Sequence, residues 1–362
     1  MMGRHLEKRA LLWGALFGIL PGLLEWLVSP VLDTARALAC HHALAHSLPL
    51  AALGSWGIAK GVAKLWKPEK ITQFEAGRFV FVVWCAHLLA DCISTEGAAL
   101  LWPILHQRVT FNILNPTDLV LSIPLCVTAL WLLFLNEPKP KKSRGKKPTP
   151  PSKRRKILTW GLGLSAGYAV IALGMKFIAS AGFHADLTRR GVKFERRMES
   201  PTPFNFLLWR AVVDRGDTLW VGYRTIFEHH DTPVRWTVYP KGSEALAKVA
   251  DLRETLTLTS VTNGWWIARP NIKGAWLGDL RFGETRVWGS KKDAVDSRLA
   301  ISWLIDAKKD GNRLLEIHPH PKAPGDFMRM GRRITGDRAA WEANPRLAGV
   351  EGSLPEFLPV EE

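Results

Sequence analysis

Imidazoles and carboxylates gather in a few short stretches of this sequence. His41-His42-Ala-Leu-Ala-His46-Ser47 sets three histidines within six residues, and His87-Leu-Leu-Ala-Asp91 has the i, i+4 spacing that stacks an imidazole and a carboxylate on one helix face. Asp33 precedes the first stretch, Asp118 follows the second, and Glu25 stands inside an otherwise apolar run. Imidazole with carboxylate is the donor set of zinc or another divalent metal, manganese being the alternative, and a catalytic site leaves one coordination position to water. The ion lowers the pKa of that water to near ~7. The expected ligands are His41, His46, His87, Asp91 and Asp33, and the expected catalytic groups are Asp118 and Glu25, a free carboxylate accepting the proton. Each residue alone has a plainer reading, since a helix-end histidine is usually satisfied locally and Glu25 would reach headgroups from a helix end. Their meeting on one side of a membrane domain is what favours a site.

That meeting depends on the apolar segments. A bilayer core needs ~20 apolar residues per helix, and five segments approach this, at 10–28, 43–66, 79–95, 118–136 and 157–180. Arg4, Lys8 and Arg9 precede the first, which is expected to be a retained span rather than a cleaved signal. Lys60, Lys64, Lys67 and Lys70 stand at and just past the end of the second, and ten Lys/Arg without an acid lie between Lys139 and Lys156. The positive-inside rule puts all three clusters in the cytoplasm and the histidines at the outer ends of the spans. The net charge of +16 resides largely in that linker, where an anchor to anionic lipid explains it better than nucleic acid does. All four cysteines lie in the apolar half without CxxC spacing, so neither a disulfide framework nor a thiolate metal site is indicated. Trp13, Trp26, Trp66, Trp102 and Trp160 flank apolar runs as an interfacial belt would.

Beyond residue 182 the pattern turns to β-like alternation. Segments 218–227 and 234–239 read as strands, and 255–261 followed by Asn263-Gly264 and 265–268 reads as a hairpin. Ser243 to Arg253 reads as a short amphipathic helix. His229-His230-Asp231 reads as a solvated turn. The expected fold is an all-α helical membrane bundle of about five transmembrane helices followed by a small extracytoplasmic α+β domain. Its expected boundaries are 1–137 for the membrane domain, 138–156 for a basic cytoplasmic linker, 157–181 for the fifth span and 182–362 for the soluble domain.

The residues from His41 to Pro124 resemble the YdjM/YbcI family of inner-membrane metal-dependent hydrolases. The family's His-Arg-Gly-x-x-His-Ser signature stands here as His41-His42-Ala43-Leu44-Ala45-His46-Ser47. Its His-x-x-x-Asp segment with a following Leu-x-Trp-Pro is matched by His87, Asp91, Gly97 and Leu100-Leu101-Trp102-Pro103, its Arg-Val-x-Phe by Arg108-Val109-Thr110-Phe111, and its later Asp by Asp118 with Pro124. Weaker similarity extends through Pro201-Thr-Pro-Phe-Asn205. The resemblance implies a multi-pass inner-membrane hydrolase. His-x-x-x-Asp is also similar to zinc-dependent phospholipase C and P1-type nucleases, which hints at phosphoester chemistry. An ester or phosphoester in a lipid or cell-envelope intermediate is therefore the expected substrate, with membrane lipids as the surroundings and no nucleic-acid partner. Three positions depart from the family pattern. The Pro-Asp-x-Asp of its first span is Pro21-Gly22-Leu23-Leu24-Glu25 here, His42 replaces an Arg, and Glu96 replaces an apolar or aromatic residue. The loss of Pro-Asp-x-Asp motivates the alternative of a non-catalytic membrane protein with an eroded or structural metal site.

Overall fold

A computed structural model describes residues 9–66, 71–116, 118–135, 152–284, 299–311, 313–317, 326–338 and 356–357. The basic linker 138–156 lies outside the described residues except for Ser152–Lys156. The N-terminal half is helical. Helices α1 (Arg9–Gly18) and α2 (Leu20–Val28) are one apolar run bent by 40°; Pro21 has no N–H to continue the ladder, which places the break at Ile19. Helix α3 (Thr34–Cys40) is capped by Asp33, α4 (Leu48–Leu65) by Ser47, and α5 (Gln73–Ile93) by a Thr72/Glu75 capping box. Helix α6 (Ser122–Phe134) precedes α7 (Lys153–Arg189), capped by Ser152.

All five expected apolar segments are helical, but their lengths do not give five spans. Among the described residues α5 and α7 are each long and apolar enough to cross a bilayer, and the bent α1/α2 pair makes a third if counted as one span. Helix α6 has 13 residues, and α4 carries Lys60 and Lys64 in its last turns. The expected tryptophan belt is divided as well. Trp26 and Trp160 are exposed, while Trp66 is buried and packs edge-on against Trp13 and Phe17 in the core between α1, α4 and α5.

The C-terminal half is richer in sheet than expected. Strands β1 (Arg196–Pro201), β2 (Leu208–Asp214), β3 (Thr218–Thr225), β4 (Trp236–Pro240) and β9 (Glu356–Phe357) form one antiparallel sheet. Strands β5 (Trp266–Asn271), β6 (Gly274–Glu284), β7 (Leu299–Asp306) and β8 (Leu314–Glu316) form a second. Residues alternate between two cores. Val212, Leu219, Val221, Ile267, Trp276 and Leu280 fill the space between the sheets, and the residues between them in sequence face outward. On the first sheet the outward face, with Trp209, Ala211, Val213 and Trp236, receives Ala179, Phe183 and Leu187 of α7. On the second, Trp266, Leu277, Trp303 and Ile305 receive Leu246 and Val249 of a 3₁₀ helix (Ser243–Val249), Leu258 of α8 (Arg253–Val261), and Ala35 and Leu38 of α3.

Two expectations change here. Segment 255–261 is helical, because Thr255 and Leu258 recur at helical spacing and bury against the second sheet, a tertiary contact that overrides β-branched propensity. Asn263 and Gly264, with φ of 52° and 76°, end that helix instead of turning a hairpin. The boundary at 181/182 falls inside a continuous helix, since α7 runs about 55 Å, longer than a bilayer core, and its last turns enter the C-terminal domain's core. Asp186 anchors it there, accepting from Trp236 Nε1 at 2.8 Å, Val234 N at 3.1 Å and Arg190 Nε at 3.0 Å. Asp186→Ala strands these donors in a buried site and should cost about 3 kcal/mol, visible as a clear fall in melting temperature. Asp186→Asn keeps an acceptor and should cost less.

Candidate functional site

Four segments deliver side chains to one point. The bend at Ile19 brings α2, and with it Glu25, against the loop 41–47. That loop is tied from below by Trp84, whose indole N–H donates to the Ala45 carbonyl at 2.9 Å, and from the side by Ala99 N donating to His42 O at 2.9 Å. One turn beyond Trp84, α5 presents His87 and then Asp91. His42 holds φ of 50°, a left-handed conformation that costs a non-glycine residue of order 1 kcal/mol and that the backbone tie keeps in place.

The donors converge on Asp91 Oδ2. His46 Nε2 and His87 Nε2 each lie 3.5 Å from it and 3.0 Å from one another, and His42 Nδ1 lies 3.9 Å from it. His42, His46 and Asp91 present ligand atoms within 4.8 Å of one another. Asp91 Oδ2 and His42 Nδ1 are both buried without a hydrogen bond, and two imidazoles facing each other through Nε2 need a proton or a cation between them. A tetrahedral ion with ligand bonds of 2.0–2.1 Å separates its donors by roughly 3.3–3.4 Å, close to the 3.5 Å edges that Asp91 makes with His46 and His87, while His87 stands outside the mutually close trio of His42, His46 and Asp91. The residues therefore fit a divalent metal.

Around this cluster a second ring fixes the imidazoles. Glu25 Oε1 lies 2.7 Å from His46 Nδ1 and Oε2 lies 3.2 Å from His41 Nδ1. Glu96 Oε2 lies 3.1 Å from His42 Nε2, and His87 hydrogen-bonds to the backbone of Gly18. A carboxylate on the far nitrogen of an imidazole sets its tautomer and turns the other lone pair inward. Burial holds the His42 imidazole below its ordinary pKa although Glu96 pulls the other way, and His42 in turn holds the Glu96 carboxyl below the usual carboxylate range. Neutral imidazole is the form that binds metal. Beside the cluster opens a largely apolar cavity of about 620 Å³, walled by Trp26, Val28, Leu32, Leu44 and Leu50.

Of the residues expected at the site, the structure brings together His46, His87, Asp91 and Glu25. His41 sits one step outside, half-exposed on Glu25 rather than facing Asp91. Asp33 is occupied elsewhere: it caps α3 through Arg36 N at 2.9 Å and pairs with Arg253 of the C-terminal domain at 3.0 Å. Burial alone would raise its carboxyl, but these two partners hold it below the ordinary value. Asp118 accepts from Val120 N at 2.9 Å and from the Tyr168 hydroxyl at 2.6 Å, tying the start of α6 to α7. Ser47 caps α4 and bonds to no imidazole. His229, His230 and Asp231 also lie close together, all exposed, as a solvated turn would be.

His42 and Glu96 were missed as site residues, and the sequence carried a signal for them. Both depart from the family pattern, and the two departures touch each other. Comparison with curated proteins and with solved structures finds no match to the chain. The family model described as YdjM inner membrane protein matches residues 2–179, from ahead of α1 to the point where α7 meets the C-terminal domain, and so includes every residue of the cluster. Over residues 2–179 the chain is similar to the YdjM inner membrane protein family.

Proposed function

We propose that this protein is a membrane-bound metal-dependent hydrolase whose ion is held by His42, His46, His87 and Asp91, acting on an ester or phosphoester at the outer headgroup plane. The observation that carries this reading is the pair of buried, unpartnered atoms, His42 Nδ1 and Asp91 Oδ2, aimed at the same point as two further imidazole nitrogens. Three imidazoles and one carboxylate suit zinc, with manganese the alternative. Bound there, the ion supplies Lewis acidity and an acidified water.

The chain's own groups supply the rest. Glu25 holds the proton on His46 Nδ1 and links it to His41, whose side chain is 52% exposed. A proton released at the buried centre thus has a path through Glu25 and His41 to solvent. The apolar cavity beside the cluster gives acyl chains a place next to the reacting group, which supports an amphiphilic substrate. The charge pattern supports cytoplasmic basic clusters, with the cluster and the C-terminal domain outside.

Metal analysis of the purified full-length protein should find zinc or manganese. His42→Ala, His46→Ala and Asp91→Ala should each abolish that content and any phosphoesterase activity, while His41→Ala should retain the metal. Metal-free wild-type protein, or unchanged content in all three variants, removes the reading. Glu96→Ala removes only an orienting carboxylate and should weaken metal affinity about 10–100-fold, measured by competition with a chelator. A periplasmic reporter fused after Glu362 should be active, and cytoplasmic reporter activity would reverse the orientation.

A further inference from the structure

A second cavity, of about 270 Å³, lies where the segment after α5, helix α7 and the C-terminal domain meet. Arg108, Lys176, Arg197 and Arg281 line it against a single lining carboxylate, Glu199. The bonds these cations make do not exhaust them. Arg281 is chelated by Asp279, with Nη2 at 2.7 Å. Arg197 Nε pairs with Glu199 and its Nη2 donates to Ser180 Oγ at 2.9 Å, which leaves Nη1 buried without a partner. Lys176 donates to the Phe111 carbonyl, and Arg108 Nη2 donates to the His41 carbonyl at 2.7 Å. Counting both carboxylates, two positive charges remain, and both are spent on neutral carbonyls. Forked guanidinium donors and an ammonium around a small space are the donor set for a tetrahedral oxyanion.

Depth narrows the occupant. Lys156 ends the basic turn that opens α7, and Lys176 lies 20 residues further along the same helix. At 1.5 Å per residue that is about 30 Å, the thickness of the hydrocarbon core. With Lys156 at the inner surface, Lys176 stands at the outer headgroup level. The volume is at the small end for ligand cavities, enough for a phosphate with a few attached atoms and too small for a nucleotide. We propose that this cavity is a binding site for a phosphate-bearing group, supplied by a phospholipid headgroup or by free phosphate. It is separate from the histidine cluster and joined to it through Arg108, which holds the His41 carbonyl, so the site stands whether or not the cluster is hydrolytic.

The test uses full-length protein in detergent micelles, stripped of metal with EDTA so that the state of the histidine cluster does not decide the result. Trp265 lines the cavity, and its fluorescence is followed while inorganic phosphate is titrated in, and separately while micelles doped with phosphatidylglycerol are added. A saturable response to phosphate assigns a free-anion site, and a response to the lipid alone assigns a headgroup site. In either case Lys176→Gln and Arg197→Gln should weaken binding at least about tenfold, Lys176→Arg should retain it, and the melting temperature of Lys176→Gln should stay at the wild-type value. No saturable response to either probe, or equal affinity in wild type and both glutamine variants, overturns the proposal.

Discussion

Asp91 Oδ2 is buried among three imidazole nitrogens and accepts no hydrogen bond. A carboxyl in such surroundings must be neutralised, by a proton on itself or on the imidazoles, or by a cation held between them. Much of the local architecture serves to keep those nitrogens in place. The α1/α2 bend supplies Glu25, Trp84 holds the loop by its Ala45 carbonyl, and the helical repeat of α5 sets His87 and Asp91 one turn apart. Without these ties the like donors would move apart and solvate separately.

The C-terminal domain is part of that arrangement. Helix α3, immediately before the histidine loop, buries Ala35 and Leu38 against the second sheet, and Asp33 at its start pairs with Arg253. Arg108 holds the His41 carbonyl from a cavity that the C-terminal domain completes. Helix α7 runs without a break from its basic first turn into the face of the first sheet. The C-terminal domain is therefore in contact with both ends of the segment that carries His41, His42 and His46. Asp33, read from sequence as a ligand, serves this linkage instead.

The three departures from the family pattern also acquire a common reason. Glu25 reaches His41 and His46, and His42 meets Glu96. A carboxylate shifted along the first helix and a new His–Glu pair together form an orienting ring around the donors. Positions that look like erosion one at a time are mutually consistent in space.

The sequence alone determined the helical membrane half, the family resemblance and four members of the cluster, His46, His87, Asp91 and Glu25. These are set by local facts: apolar runs, an i, i+4 spacing within one helix, and ionisable groups in apolar surroundings. Only the tertiary structure decided between His41 and His42. Adjacent residues in a loop point to different sides, and a left-handed φ at His42 with a bond from Ala99 chooses which one faces in. It likewise turned 255–261 from strand to helix, because the second sheet offered a surface matching helical spacing. It drew Asp33 and Asp118 away to Arg253 and Tyr168, partners 220 and 50 positions distant along the chain. Contacts between residues so far apart in sequence depend on how whole elements dock, and no local pattern encodes that.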